Sequence, residues 1–287
     1  MGYPSLKELL HVACDAAYLG GRRTLAYFNA GVSVETKADN TPVTRADREC
    51  EDIVRAHIAR CFPSHAVLGE EGGEAVPRTG AVAGPCRSPC ERKARTGRQP
   101  PVRGTPPYRW IIDPIDGTKT FIHGVPLYGV LLGVEVRSKP SVGVVYLPAL
   151  DEMVCAASGL GCQWNGRPAR VSGVSRLADA LLLTTSARSA MARSGAYLKL
   201  AAQTKHQRTW GDCYGYVLVA TGRAEIMLDP DMKPWDSAPL LPILEEAGGR
   251  FTTWDGKATI WGPDAAATNG VLHEQVLGIL RREAGTR

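Results

Sequence analysis

The sequence has no apolar run long enough to span the hydrocarbon core of a bilayer. Its first residues have neither the charged start nor the apolar core of a signal peptide, so we expect the protein to stay in the cytoplasm and to have no membrane partner. It also has no internal repeat. With 44% hydrophobic residues and 31 glycines among 287 residues, the composition is typical of a globular α/β protein.

Cysteine spacing typical of a zinc site is absent as well. The eight cysteines are scattered, and the closest pair, Cys86 and Cys90, has no second pair and no histidine nearby. In a reducing compartment such cysteines stay thiols. Neither a structural zinc ion nor a disulfide framework is expected.

Positive charge is concentrated in one segment of the chain. Residues 75–109 carry eight basic residues and one acid, although the whole chain has a net charge of only +5. The rest of the chain is therefore slightly acidic. Because the excess belongs to one segment and not to a fold, we do not expect nucleic acid as a partner.

The same region has seven prolines in residues 75–107 and almost no large apolar side chain. Such a composition cannot bury a core. We expect residues 75–107 to be a disordered segment or a long loop inserted into the domain.

The most informative stretch is Trp110–Thr118, which reads WIIDPIDGT. Its apolar start predicts a buried strand, and Pro114, which has no backbone donor, should end that strand. Asp113 and Asp116 would then project together, and two adjacent carboxylates repel unless a cation lies between them. Gly117 permits a turn that brings backbone N–H groups close to an anion.

A hard divalent ion such as Mg²⁺ is held by carboxylates together with substrate phosphate, so this stretch predicts a metal site beside a phosphate-binding turn. The alternative is a plain polar turn after an edge strand, because Asp-Pro and Asp-Gly pairs are common turn formers. Both pairs in this order after an apolar strand favour the metal site.

The hexapeptide DPIDGT at residues 113–118 resembles the signature of the inositol monophosphatase superfamily of metal-dependent phosphatases. Two further matches occur in the same order: LGEEG at residues 68–72, and WDSA at residues 235–238 followed by EEAGG at residues 245–249. The resemblance covers nearly the whole chain apart from about 30 residues after Glu74.

The resemblance implies an α/β (α+β) fold, a layered αβαβα sandwich of the inositol monophosphatase/fructose-1,6-bisphosphatase type. It implies a single phosphatase domain over residues 1–287, with a metal- and phosphate-binding half at about 1–150 and a substrate half at about 151–287. It also implies a homodimer.

The resemblance further implies a metal site formed by four acids and one backbone carbonyl: Glu70, Asp113, Asp116, Asp236 and the carbonyl of Ile115. In relatives the counterpart of Asp113 bridges two ions, those of Asp116 and Asp236 hold one of them, and that of Glu70 holds the other and orients the attacking water. An all-oxygen set suits Mg²⁺, with Mn²⁺ as a substitute. Without the resemblance, Asp236 could equally be a helix cap.

Three more positions match catalytic or phosphate-binding groups of the superfamily. Thr118, paired with Asp47, would help to deprotonate the water, and the N–H groups of Gly117 and Thr118 would hold the phosphate at a helix start. Lys37 matches a lysine near the metal. Taken alone, Asp47 is only an acid in the first turn of a helix, where the dipole favours it. No cysteine or serine nucleophile is implied.

The substrate end resembles the histidinol-phosphate phosphatase branch through TKTFI at 118–122, TTS at 184–186, GDCY at 211–214 and MKPWD at 232–236. Histidinol carries an ammonium and an imidazole, which Asp212, beside Gly211, and Asp229 could bind. Alternatively, Asp212 caps the following helix. The branch usually has glycine where this chain has Trp210, and a bulky indole there would reshape the pocket.

We therefore expect a small phosphate ester as substrate, and hydrolysis of L-histidinol phosphate in histidine biosynthesis as the reaction. The same chemistry on inositol monophosphate or another small ester is the alternative. A third reading is a non-catalytic protein that binds phosphate or nucleic acid through the basic insertion.

Periodicity also predicts three helices that bear on the fold. The first runs from the capping box Ser5/Glu8 to about Asn29. A second covers Met191–Thr204. A third ends near Ala247, with two prolines close to its start, where proline is tolerated.

Overall fold

The computed structural model describes residues 3–31, 33–37, 41–76 and 106–284, so nearly all of the predicted insertion at 75–107 lies outside the described residues. Within those ranges there are eight α-helices and one short 3₁₀ helix at Leu177–Asp179. The helices are α1 (Leu6–Thr24), α2 (Arg45–Cys61), α3 (Thr118–Ile122), α4 (Ala187–Arg193), α5 (Ala196–Ala201), α6 (Asp212–Ala220), α7 (Pro234–Glu246) and α8 (His273–Ala284).

Fifteen strands accompany these helices in the described part of the chain. They are β1 (Val34–Thr36), β2 (Pro42–Thr44), β3 (Ala66–Gly69), β4 (Gly73–Ala75), β5 (Tyr108–Asp116), β6 (Gly129–Val136), β7 (Lys139–Leu147), β8 (Glu152–Ala157), β9 (Gly161–Trp164), β10 (Arg167–Pro168), β11 (Leu181–Leu183), β12 (His206–Arg208), β13 (Ile226–Asp229), β14 (Arg250–Thr252) and β15 (Ala265–Thr268).

The strands form a β1–β2 pair and two large sheets. The eight-stranded sheet has the order β10-β9-β8-β7-β6-β5-β3-β4, and the five-stranded sheet has the order β12-β11-β13-β15-β14. Both are mixed: β3 and β5 run parallel, as do β11 and β13, while most other neighbours are antiparallel. The eight-stranded sheet reaches residue 168, and the proposed division into halves near residue 150 stays a prediction.

Successive buried side chains of a strand pack in different apolar clusters, and this shows how the layers stack. On β5, Trp110 and Ile112 belong to the apolar cluster with α1 and α2, whereas Ile111 belongs to the cluster with α6 and α7. On β13, Met227 packs on the α6 and α7 side, and Ile226 packs towards α5 and α8. Because successive strand residues point to opposite faces, each sheet is buried on both sides.

The resulting order is α1 and α2, the eight-stranded sheet, α6 and α7, the five-stranded sheet, then α5 and α8. This confirms the layered α/β sandwich that the resemblance implied. No helix in the described ranges is long and apolar enough to cross a membrane.

Two helix predictions were wrong in extent. Helix α1 begins with the predicted capping box, in which the Glu8 N–H donates to Ser5 Oγ at 3.2 Å, but it ends at Thr24 and not near Asn29. The predicted helix at residues 191–204 is two short helices, α4 and α5, which are separated at Ser194 and Gly195. The periodic pattern spans this break, because both helices bury apolar residues in one cluster.

The proline-containing helix α7 starts earlier than predicted. It begins at Pro234, so Pro239 and Pro242 lie inside it and not in its first turn. Its backbone rests directly on two strands of the larger sheet: a Cβ added to Gly143 of β7 would lie 2.0 Å from the Pro239 carbonyl oxygen. Burial between the two sheets stabilises a helix that its own sequence disfavours.

This close approach gives a stability prediction. Gly143→Ala should lower the free energy of unfolding by about 1–3 kcal/mol or more, because the new methyl group meets α7 backbone that cannot move aside. Gly173→Ala is the matched control, since a Cβ there meets nothing within 4 Å. Urea unfolding of both variants tests this, and equal stability of the two proteins would contradict the packing described for α7.

Candidate active site

The two aspartates of the central motif lie on either side of a bulge in β5. Asp113 is opposite Leu131 on β6, and the ladder resumes with Asp116 opposite Gly129. Three steps on β5 therefore match two steps on β6, which is one extra residue. The prediction that Pro114 ends the strand was wrong, because its missing N–H falls within the bulge, where the ladder needs no donor.

The bulge has a direct chemical consequence. In a regular strand, residues three apart point to opposite faces, but one extra residue brings Asp113 and Asp116 to the same side. Asp236, in the first turn of α7, completes the group. One carboxylate oxygen from each of these three aspartates lies within 4.8 Å of the others, and we call them the acidic cluster.

Backbone N–H groups hold each member of the acidic cluster in place. The N–H of Ile115 donates to Asp113 Oδ1 at 3.0 Å, and the N–H of Cys213, at the start of α6, donates to Asp116 Oδ2. The N–H of Lys233 donates to Asp236 Oδ2 at 2.8 Å. Asp236 is thus a helix cap and a cluster member at once, so the two interpretations of its position are compatible.

Burial and the neighbouring carboxylates both disfavour ionisation in the cluster. Burial, followed by the charges of Glu70 and the other two aspartates, raises the pKa of Asp113 well above its usual range. Asp113 is only 2% exposed. Burial likewise raises the pKa of Asp116 strongly, and that of Asp236 to about 7.

A hard divalent cation would relieve this repulsion. Carboxylate oxygens are the ligands such ions prefer, and three of them converge here, two from β5 and one from α7. The carbonyl of Ile115 accepts from Thr118 Oγ1 at 3.0 Å and retains a second lone pair for another donor or ion. The donor set of this chain therefore fits a metal ion of the Mg²⁺ type.

Glu70 lies in the loop between β3 and β4, beside the acidic cluster. Its N–H donates to the carbonyl of Ile112 at 3.1 Å, which ties it to the end of β5. Its carboxylate is paired with Lys37 Nζ at 2.7 Å and is outside the group of three. Its charge nevertheless acts on Asp113 and Asp236.

Lys37 contacts both glutamates of that loop, Glu70 and Glu71. Burial lowers the pKa of the Lys37 ammonium, but the hydrogen bonds that it donates to the two carboxylates outweigh this effect, and the net pKa is raised. Lys37 therefore stays charged and balances negative charge next to the acidic cluster. The sequence had placed it near the metal only by resemblance.

Thr118 and Asp47 come together as the resemblance implied, although loosely. Thr118 Oγ1 lies 3.4 Å from Asp47 Oδ1, a long hydrogen bond. The other oxygen of Asp47 accepts from the N–H and the hydroxyl of Thr44 at 2.7 and 2.6 Å, which forms the capping box of α2. Burial raises the pKa of Asp47 in spite of these bonds.

Gly117 has a left-handed backbone with φ of 81° and precedes the short helix α3. A Cβ at this position would also lie 2.9 Å from Asp212 Oδ2. Only glycine suits both the backbone and this close approach. The turn after β5 is therefore formed as the sequence predicted.

Next to the acidic cluster is a cleft of about 230 Å³. Most of its lining residues carry polar side chains, and some of them had not been singled out from the sequence. The lining residues are Asp116, Lys119, Thr185, Ser186, Ser189, Asp212, Tyr216, Asp229, Pro230, Asp231, Met232, Asp236 and Leu240.

Asp212 lies on the wall of this cleft, at the first residue of α6, with φ of 50°. Its carboxylate accepts from Thr120 Oγ1 of α3 at 3.1 Å, and its N–H donates to Thr185 Oγ1 at 2.8 Å. The side chain thus reaches across to another element, and the alternative in which it caps α6 has no support. Gly211 lets this segment approach, since a Cβ there would lie 2.2 Å from the Thr185 backbone.

Asp229 is at the end of β13 on the same cleft. It accepts from the N–H of Thr185 and from the hydroxyl of Tyr216, both at 3.0 Å. Burial raises its pKa to about 6. Trp210, in contrast, is 45% exposed, packs against the guanidinium of Arg208 and does not line the cleft.

A model of the inositol monophosphatase family matches residues 5–284. The chain belongs to the inositol monophosphatase family. Its relatives include the histidinol-phosphatase of Chlorobaculum parvum, 38% identical over 254 residues and 88% of each chain. The histidinol-phosphatase of Mycobacterium tuberculosis is 40% identical over 252 residues, 85% of this chain and 86% of its own.

Among solved structures, an IMPase of Thermotoga maritima matches with a TM-score of 0.78 and 26% identity over 96% of this chain and 97% of that chain. The family resemblance and the fold predicted from the motifs are both confirmed. As a member of this family, the chain is a metal-dependent phosphatase. The roles of individual side chains, the metal and the substrate are proposals.

The raised pKa of Asp229 gives a pH prediction for the metal-free protein. Its pKa is 3.8 in the ordinary case and about 6 in the fold, so the stability it contributes is full below pH 4 and is lost as the pH rises through 6. As the pH rises from about 4 to above 6, the free energy of unfolding of the unmodified protein should fall by about 3 kcal/mol relative to that of Asp229→Asn.

Urea unfolding between pH 4 and 7.5 measures this difference. Asp231→Asn is the matched control, because that carboxylate is largely exposed, and its pH profile should run parallel to that of the unmodified protein. A parallel profile for Asp229→Asn as well would show that this carboxyl ionises in the fold as readily as in the unfolded chain.

Proposed function

We propose that the chain hydrolyses L-histidinol phosphate to L-histidinol and phosphate, with Mg²⁺ or Mn²⁺ bound at the acidic cluster, as a step of histidine biosynthesis. The observation that carries the substrate is the pair Asp212 and Asp229. Both line the cleft and neither belongs to the acidic cluster. With Asp231 at the exposed rim, three carboxylates outside the acidic cluster line this cleft, and such a set suits a cationic leaving group.

Chemistry at the other end of the substrate supports the same choice. Hydrogen bonds between a charged donor and a carboxylate are about twice as strong as neutral ones, so an ammonium or imidazolium gains more from these side chains than a hydroxyl of inositol does. Two relatives named histidinol-phosphatase, each more than a third identical to this chain, add weight to this choice.

The residues around the bulge would hold the phosphate and the ion. We assign the metal site to Asp113, Asp116, Asp236 and the Ile115 carbonyl, with Glu70 as a further carboxylate ligand. When bound, the ion would neutralise charge on the phosphoryl oxygens and lower the pKa of a water molecule. The backbone N–H groups after Gly117 would receive the phosphate.

Thr118 and Asp47 would accept the proton that the attacking water loses. The Thr118 hydroxyl donates to the Ile115 carbonyl at 3.0 Å and has Asp47 Oδ1 as a second acceptor at 3.4 Å. Shortening of the second contact when substrate binds would direct the proton to Asp47. Glu70, whose charge Lys37 balances, would orient the water on the opposite side.

A panel of phosphate esters tests this proposal. With purified protein and Mg²⁺, we expect kcat/KM for L-histidinol phosphate to exceed that for inositol 1-phosphate by about tenfold or more, as one charged hydrogen bond is worth about 1.5–3 kcal/mol. Chelation of the metal should abolish phosphate release. Asp113→Asn serves as the control for contaminating phosphatase.

Two matched variants locate the selectivity. Asp212→Asn should raise KM for L-histidinol phosphate far more than for p-nitrophenyl phosphate, whereas Asp179→Asn, a half-exposed acid that does not line the cleft, should change neither. Equal or reversed rates for the histidinol and inositol esters would overturn the substrate. Absence of release from every ester, with nucleic acid retained through residues 75–107, would favour the non-catalytic reading.

A further inference from the structure

The loop that carries Glu70 is very short. Residues 70–72 connect β3 to β4, whose last and first residues, Gly69 and Gly73, are paired with each other. Shortly after β4 the chain enters the region that the structure does not describe. The position of Glu70 therefore depends on whatever fixes these three residues.

A buried acid on α2 forms hydrogen bonds with the backbone of this loop. Glu51 is 2% exposed, and its two oxygens accept from the N–H groups of Glu71 and Gly72, both at 2.8 Å. Arg55, one turn later on α2, donates to Glu51 at 2.7 Å and to the carbonyl of Gly73 at 2.6 Å. The carboxylate and its ion-pair partner thus bind both sides of the loop.

The glycines of the loop show how closely the carboxylate fits. A Cβ added to Gly69 would lie 2.3 Å from Glu51 Oε1, and one added to Gly72 would lie 2.7 Å from the same atom. No side chain could be accommodated at either position without displacing Glu51. The sequence GEEG therefore leaves space for this acid as well as providing Glu70.

Helix α2 connects this loop to the rest of the site. Asp47 and Glu51 are four residues apart and lie on one face of the helix. Asp47 contacts Thr118, and Glu51 contacts the loop of Glu70. One rigid helix thus sets the position of two groups that come from different parts of the chain.

We propose that Glu51 is a positioning residue for the metal site: it holds the loop 70–72 so that Glu70 faces the acidic cluster. It touches neither the cleft nor the cluster itself. The inference rests on the proposed function only where it takes Glu70 to bind the ion. Partners of this kind typically affect metal affinity by about 10–100-fold.

The competing explanation is a helix ion pair with Arg55 that only stabilises the fold. The two explanations differ in what Glu51→Gln does. Glutamine keeps the volume but replaces one acceptor oxygen with an NH₂ group, which faces an N–H donor. Because Glu71 is half-buried and Gly72 exposed, the loop should loosen without unfolding the protein.

The first measurement uses the unmodified, metal-free protein. Amide hydrogen exchange at Glu71 and Gly72 should be slow, because the Glu51 carboxylate already holds both N–H groups before any ion binds. Exchange at the rate of an unfolded chain at both amides would overturn the proposal. This result does not depend on whether the chain is a phosphatase.

The second measurement is the affinity for Mn²⁺, determined by titration calorimetry. Glu51→Gln should weaken binding by about 10–100-fold, and exchange at the two amides should become fast. Glu49→Gln is the matched control: Glu49 is on the same helix as Glu51, but its ion pairs are with Arg23 of α1 and with Arg45, and it makes no contact with the loop. Its Mn²⁺ affinity should be unchanged.

Folded Glu51→Gln protein that binds Mn²⁺ as tightly as the control would overturn the positioning role. If the variant does not fold, the exchange rates of the unmodified protein decide the question. If the unmodified protein binds no Mn²⁺, the metal site of the proposed function fails, and the exchange rates still decide whether Glu51 holds the loop.

Discussion

Repulsion between three buried carboxylates is the constraint on which this site depends. Asp113, Asp116 and Asp236 come from a strand bulge and a helix start, and backbone N–H groups fix all three. The fold therefore brings together charges that would separate if they were free to move. Burial first, and then the neighbouring carboxylates, raise the pKa values of these acids, and a bound cation would offset both effects.

The elements around the acidic cluster keep it rigid from both sides. Helix α7 lies against glycines of the larger sheet and carries Asp236, while α6 supplies the N–H that holds Asp116 and carries Asp212 on the cleft wall. On the opposite side of β5, α2 supports Thr118 and the loop of Glu70. The cleft thus has one end suited to a metal-bound phosphate and another with carboxylates suited to a cation.

Local signals in the sequence predict Asp113 and Asp116 as a metal-binding pair, because both follow an apolar strand, whereas Glu70 and Asp236 were indicated only by the family resemblance. The features that the sequence did not predict depend on packing between residues far apart in the chain. The missing N–H of Pro114 is absorbed by a bulge that only the neighbouring strand defines, and Pro239 lies inside a helix because two sheets bury it. No motif in the sequence indicated Glu51, and only its spacing of four from Asp47 could have pointed to a role.

The most direct test of the account is a crystal structure of the protein with Mn²⁺, using anomalous scattering to locate the ion. We expect an anomalous peak between the carboxylates of Asp113, Asp116 and Asp236, with the Ile115 carbonyl in the coordination sphere and the Glu70 carboxylate turned towards the metal site. Crystals containing Mn²⁺ that show no peak there, with the three carboxylates turned away from one another, would contradict it.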